Sequence, residues 1–212
     1  MIYEITTYDL KPRSVPEIEK RFGERYEKRK TYSPLAASWH TEIGPLNQII
    51  QVWPYKDLEE RARITAAAAK DNVWPPDLGE FVLAVQADIM LPFTFSPEMK
   101  PGKMGPYFEM RIYTYQVGGL PLLADNWERA LPARLKFGPP CALLYSELGA
   151  LNKFVHIWPY ASLDERNQVR DQVKAAGIWP PSAVAAKEGR KSVSLVAQEN
   201  KIVMPSAFSP TQ

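Results

Sequence analysis

The sequence predicts an α+β protein built from two tandem ferredoxin-like units that pack sheet to sheet as an intrachain pseudo-dimeric α+β barrel. Two observations carry this. The chain repeats itself: GPLNQIIQVWPYKDLEER begins at Gly44 and GALNKFVHIWPYASLDER at Gly149, an offset of 149 − 44 = 105. Within each copy, β-branched and aromatic runs and helical apolar stripes follow in the order strand, helix, strand, strand, helix, strand.

The same shift carries Trp53-Pro54-Tyr55 onto Trp158-Pro159-Tyr160, Trp74-Pro75-Pro76 onto Trp179-Pro180-Pro181, Glu4 onto Glu109 and Tyr8 onto Tyr113. Past the second tryptophan motif the register changes. Phe95-Ser96-Pro97 matches Phe208-Ser209-Pro210, and 208 − 95 = 113, so the second copy holds 113 − 105 = 8 extra residues near KEGRKS. The expected units are residues 1–97 and 107–212, joined by a Pro/Gly-rich linker over 98–106.

The elements follow in order. Residues 2–10 are β-branched and aromatic and predict a strand. Ser14 and Glu17 have capping-box spacing, with Pro16 early in the helix. Val15, Ile18, Phe22 and Tyr26 then form one apolar stripe, and the charge run ERYEKRK reads as the solvated face. Residues 35–43 and 48–53 predict a hairpin turning at Gly44-Pro45. Asp57 and Ser162 predict N-caps for the second helices, which the WPP motifs are expected to stop. Residues 81–90 and 193–203 predict the closing strands. A four-stranded sheet with both helices on one face leaves its other face bare, and the second copy supplies the cover.

Composition narrows the function classes. Among 212 residues, 45% are hydrophobic and 24% charged, ordinary values for a globular chain. The net charge of +2 arises from interspersed signs, which predicts no nucleic-acid surface. One cysteine, Cys141, excludes an intramolecular disulfide. The opening MIYEITTYDL predicts neither secretion nor organelle import, hence a cytoplasmic protein, and no apolar run is long enough for an integral membrane segment.

The pattern Asn-x-x-x-[His/Gln]-[Ile/Val]-Trp-Pro-Tyr-x-x-Leu-[Asp/Glu]-Glu-Arg, over 47–61 and 152–166, resembles the signature of the NIPSNAP family. Tyr3-Glu4-Ile5 with Tyr8, and Phe108-Glu109-Met110-Arg111 with Tyr113, resemble the opening of its domains. This resemblance implies the dimeric α+β barrel superfamily. Its members include cofactor-free monooxygenases acting on quinone-like aromatics, lactone isomerases and haem-binding enzymes. Animal NIPSNAP proteins are mitochondrial and linked to membrane traffic and mitophagy.

His156 is the sharpest candidate for chemistry. It shares a strand face with Phe154 and Trp158 and has the imidazole of a general base or, as a lesser alternative, a haem ligand. Its counterpart is Gln51, which hydrogen-bonds but does not titrate. Tyr113 and Glu109 are the expected assistants, although Glu4 and Glu109 read equally as partners of the repeated Arg61 and Arg166. Tyr8, Gln51, Trp53, Trp158 and Tyr160 are expected to line a pocket for a flat apolar ligand, against the plainer reading of core packing. His40 and His156 have no zinc-type spacing, so no metal is expected. Two functions follow: an enzyme or binder for a small apolar or aromatic molecule in a barrel cavity, needing no organic cofactor, or a non-catalytic interaction module presenting its helices. Either suits a homo-oligomer of pseudo-dimers.

Overall fold

Runs rich in β-branched and aromatic residues, buried on both faces, form the central strands of both copies. A computed structural model describes residues 1–212. The first copy forms β1 (Ile2–Leu10), α1 (Val15–Arg29), β2 (Ala37–Ile43), β3 (Gln48–Tyr55), α2 (Leu58–Lys70) and β4 (Val82–Pro92). The second forms β5 (Tyr107–Tyr115), α3 (Leu120–Arg134), β6 (Ala142–Leu148), β7 (Lys153–Tyr160), α4 (Leu163–Ala175), α5 (Pro181–Lys187) and β8 (Leu195–Pro205). The eight strands close into one antiparallel barrel in the order β1-β3-β2-β8-β5-β7-β6-β4.

Each copy keeps the ferredoxin-like strand order 4-1-3-2. The copies join edge to edge, β2 with β8 (Trp39 opposite Pro205) and β4 with β6 (Pro92 opposite Leu144). Closure leaves few unpaired edges. Inward-facing residues of both copies, including Tyr3, Trp39, Ile50, Met90, Phe108, Met110 and Ile157, fill the bore as one cluster of 17 buried side chains. Trp39 and Phe108 meet across the copies at 5.1 Å. The alternate residues of β1, β3, β5 and β7 face outward, under the helices.

The segments after β4 and β8 are exchanged. Phe93 and Phe95 pack on the second copy, with Phe93 5.4 Å from Phe154. Phe208 packs on the first, 5.6 Å from Tyr26. The matching serines accept equivalent backbone hydrogen bonds: Ser96 Oγ from Leu143 N and Ser209 Oγ from Ser38 N, both at 2.9 Å.

Several local expectations need correction. Ser14 makes no cap; its backbone is already helical and its hydroxyl donates to Lys11 O at 2.6 Å, while Glu17 pairs with Arg21. Asp57 and Ser162 do cap α2 and α4, accepting from Glu60 N and Glu165 N. The second helices stop before WPP. Asn72 (φ 52°) and Gly177 (φ 67°) enter the left-handed region, and paired bonds such as Val73 N to Ala68 O and Ile178 N to Val173 O close the ends as Schellman motifs. The charge run ERYEKRK is not wholly solvated: Arg29 is buried, donates to Ser33 and to Tyr55 Oη, and lies 4.2 Å over Trp53. The eight extra residues extend the connection that holds α5, an element with no counterpart in the first copy.

Removing the Ser209 hydroxyl leaves the buried Ser38 N–H without an acceptor. Ser209→Ala should lower unfolding free energy by about 1–3 kcal/mol in urea titration. An unchanged midpoint would show that the exchanged arm does not clasp the first copy.

Candidate functional site

The outer face of the second copy carries the candidate chemistry, and pleating puts it there. Glu109, Arg111, Tyr113 and Tyr115 alternate along β5; Phe154, His156, Trp158 and Tyr160 alternate along β7. Register sets Arg111 opposite His156 and Glu109 opposite Trp158. Helices α3, α4 and α5 cover this face.

Between sheet and helices lies a cavity of about 410 Å³. Its aromatic walls include Tyr113, Trp127, Trp158 and Trp179, and Val193 and Leu195 add apolar surface. It lies outside the bore. The barrel-cavity expectation is therefore corrected: the bore's centre is packed, leaving a 190 Å³ pocket lined by Asp9, Gln48, Lys201 and neighbours.

His156 is buried in the cavity wall. It stacks on Phe154 (4.9 Å, 19°) and meets Tyr113 and Trp127 edgewise. The Trp158 indole donates to His156 Nδ1 at 2.8 Å. An indole N–H only donates, so Nδ1 must be the unprotonated nitrogen and the neutral ring carries its proton on Nε2. Nε2 is buried and has no partner. Burial, aided by Arg111, Arg170 and Arg134, holds the His156 pKa well below its ordinary value. The ring is a neutral N–H donor. The general-base expectation does not fit, because the basic lone pair is occupied. Nor does haem: ligation through Nε2 would need that proton removed or the Trp158 bond broken, so no step is routed through haem.

The first copy reproduces this polarity with another side chain. Trp53 Nε1 donates to Gln51 Oε1 at 3.3 Å, and Gln51 Nε2 is buried and unpartnered. Gln51 and His156 are thus matched acceptor–donor pairs.

The charges differ between copies. Glu4 is buried and paired to Arg61 through Nε (3.0 Å) and Nη2 (2.5 Å). Glu109 is buried too, but three guanidiniums reach its Oε1: Arg166 at 2.5 Å, Arg111 at 3.3 Å and Arg170 at 3.6 Å. The positions equivalent to Arg111 and Arg170 are Thr6 and Thr65. Arg111 also donates to Tyr113 Oη at 2.6 Å. Arg134 lies 4.1 Å over Trp158.

His156, Tyr113, Glu109, Trp158 and Tyr160 all line the cavity. Tyr8, Gln51 and Trp53 do not; they are buried in the first copy, where Phe22 stacks on Trp74 at 4.9 Å and Tyr8 lies 5.2 Å from Phe22. Arg111 and Trp179 stand in motifs that the sequence marks, yet neither they nor Arg134, Arg170 and Trp127 were expected in the site. The threonine-to-arginine exchanges between copies are the signal that marks two of them. His40 stands apart, its Nδ1 2.8 Å from Glu19, a bond that raises its pKa. No group of three or more His, Cys, Asp or Glu side chains is gathered for a metal, and no helix is long and apolar enough to cross a membrane.

Unfolded, His156 titrates near pH ~6.5; folded, it titrates far lower. Its burial as a neutral ring is therefore without penalty above the unfolded value and costs stability as pH falls below it. His40 acts in the opposite sense, stabilising below its unfolded value and less as pH rises through its folded one. Comparison with His156→Gln at each pH cancels the His40 effect. Below about pH 6.5, wild type should lose up to about 1.4 kcal/mol per pH unit relative to that variant in denaturant titrations. Parallel pH profiles would contradict the buried neutral ring.

Comparisons with known proteins agree with this architecture. The NIPSNAP family profile matches residues 3–97 and 108–210. The chain is 30% identical to Protein NipSnap homolog 3A of Homo sapiens, over 99% of this chain and 85% of that protein. It is 24% identical to Protein NipSnap homolog of Dictyostelium discoideum, over 96% and 87%. A putative monooxygenase from Lactobacillus acidophilus NCFM shares the fold with a TM-score of 0.67 at 9% identity, over 97% of this chain and 94% of that one. Two family matches at the 105-residue offset, on a closed barrel of two ferredoxin-like halves, make the chain a member of the NIPSNAP family.

Proposed function

We propose that the second copy binds a small, flat aromatic or lactone-like molecule in the cavity between β5, β7 and helices α3–α5. The observation that carries this reading is the buried, unpartnered Nε2–H of His156 in the wall of a 410 Å³ aromatic cavity. Native proteins leave few buried donors unpaired, and a ligand oxygen would complete this one.

The residues divide the work. Trp127, Trp158 and Trp179 hold the ring by stacking and exclude water. The Trp158 indole fixes the His156 tautomer, so the donor is preset rather than recruited. His156 then polarises a carbonyl or holds a phenolate or enolate oxygen, the charge that cofactor-free oxygenation or isomerisation of such molecules develops. Glu109 is engaged by three guanidiniums at Oε1 and serves to hold them in place.

Gln51 supplies the test. His156→Gln preserves an acceptor for Trp158 and an N–H beyond it, whereas His156→Phe preserves neither. Binding of 1-naphthamide or a flavonol, followed by quenching of the cavity tryptophans, should survive the first change within a factor of about three and weaken about tenfold or more in the second. Equal loss in both variants would return His156 to a titrating role. No binding by wild type would remove the small-molecule reading and leave the exposed helices as the functional surface.

A further inference from the structure

The cavity carries more positive charge than its fold requires. The first copy shows what the fold requires: Glu4, buried at the position of Glu109, is paired to Arg61, and the positions of Arg111 and Arg170 hold Thr6 and Thr65. The second copy keeps that pair as Glu109 and Arg166 and adds Arg111 and Arg170. Three guanidiniums against one carboxylate leave a surplus of 3 − 1 = 2 positive charges. The added pair hold Glu109 Oε1 at 3.3 and 3.6 Å, looser than Arg166 at 2.5 Å. Arg134 and Lys174 also line the cavity, against Asp171 as the other acid.

One half of this surplus is set into the cavity wall, the other at its rim. The Arg111 side chain is only 17% exposed and lies along the sheet, opposite His156. Like charges crowded beside a buried neutral imidazole repel one another, and an arrangement of that kind persists where a counter-charge arrives. No free base stands beside His156: its own lone pair is taken by Trp158, Glu109 is clamped, and Asp171, the other acid of the cavity, is solvent-exposed on α4. Negative charge on an oxygen held at His156 is therefore best supplied by the ligand itself.

The geometry points to an anionic aromatic ligand for this cavity, a carboxylate or phenolate whose ring lies among Trp127, Trp158 and Trp179 and whose charged oxygens meet Arg111, Arg170 and the His156 N–H. The inference rests on the small-molecule reading above and adds the charge of the ligand to it. The guanidinium fork suits a carboxylate, and the neutral His156 donor suits one of its oxygens.

Matched pairs test charge apart from shape: 1-naphthoate against 1-naphthamide, and salicylate against salicylamide, by calorimetry at pH 7.5 with tryptophan quenching as a site marker. The full-length chain should bind each anion about tenfold or more tighter than its amide, the worth of one added charge-assisted hydrogen bond. Arg111→Thr with Arg170→Thr restores the first copy's charge arrangement. That variant should bring the pair within a factor of about three while the amide's affinity holds. If the double variant unfolds, Arg170→Thr alone serves, since that side chain is 43% exposed; it should lower the anion preference in part. Amides binding as well as anions, or an anion preference untouched by the variants, would overturn the inference and leave the pocket standing. Anion binding without tryptophan quenching would place it elsewhere and overturn it as well. No binding by either member of either pair would overturn the pocket reading and this inference together.

Discussion

A carboxylate placed on the outward face of a strand and then covered by a helix has to be answered by a cation. Glu4 and Glu109 occupy that position at the start of each copy, and Arg61 and Arg166 answer from the second helices, 57 residues on. Leaving either carboxylate unpaired would cost several kcal/mol, on the order of 3–5. This pairing ties α2 and α4 to their sheets, together with the buried apolar residues Ile64, Ala68 and Val173. The space between sheet and helix beside it is packed core in one copy and cavity in the other.

Duplication lets the copies diverge around that fixed pair. In the first, Phe22, Trp74 and Tyr8 fill the space over β1 and β3, and Glu4 is paired to Arg61. In the second, α5 lengthens the wall, arginines replace two threonines, and Tyr113 and Tyr115 border open volume. The exchange of Gln51 for His156 is quieter than it looks. Each accepts from the tryptophan two residues on and keeps one N–H in reserve. Shared closure of the barrel allows this asymmetry, because the bore cluster and the two seams support both halves whatever the helix layer does.

Much of the architecture was legible in the residues. The β-branched and aromatic run IYEITTYDL and the caps at Asp57 and Ser162 are local signals that local geometry obeyed, and the 105-residue offset carried them to the second copy. The seams were not legible, since pairing of β2 with β8 depends on edges that no short motif marks. Arg29 hides in a charge run because helical phase, not composition, turns it inward over Trp53. Ser14 has the spacing of a cap but a helical backbone, so its hydroxyl turns to Lys11. At the site, the aromatic residues could be gathered from alternation. The tautomer of His156 could not, because it depends on which nitrogen Trp158 reaches. The extra arginines stood in the copy-to-copy comparison, visible as threonines that had become charged.

The candidate site depends on His156 being a neutral donor with its proton on Nε2. Long-range proton–nitrogen correlation spectra of the imidazole, recorded across pH 5 to 8 on uniformly labelled protein, report that state directly. The prediction is one non-titrating histidine with Nδ1 unprotonated and Nε2 protonated, beside a titrating His40. An imidazolium at neutral pH, or a proton on Nδ1, would contradict it.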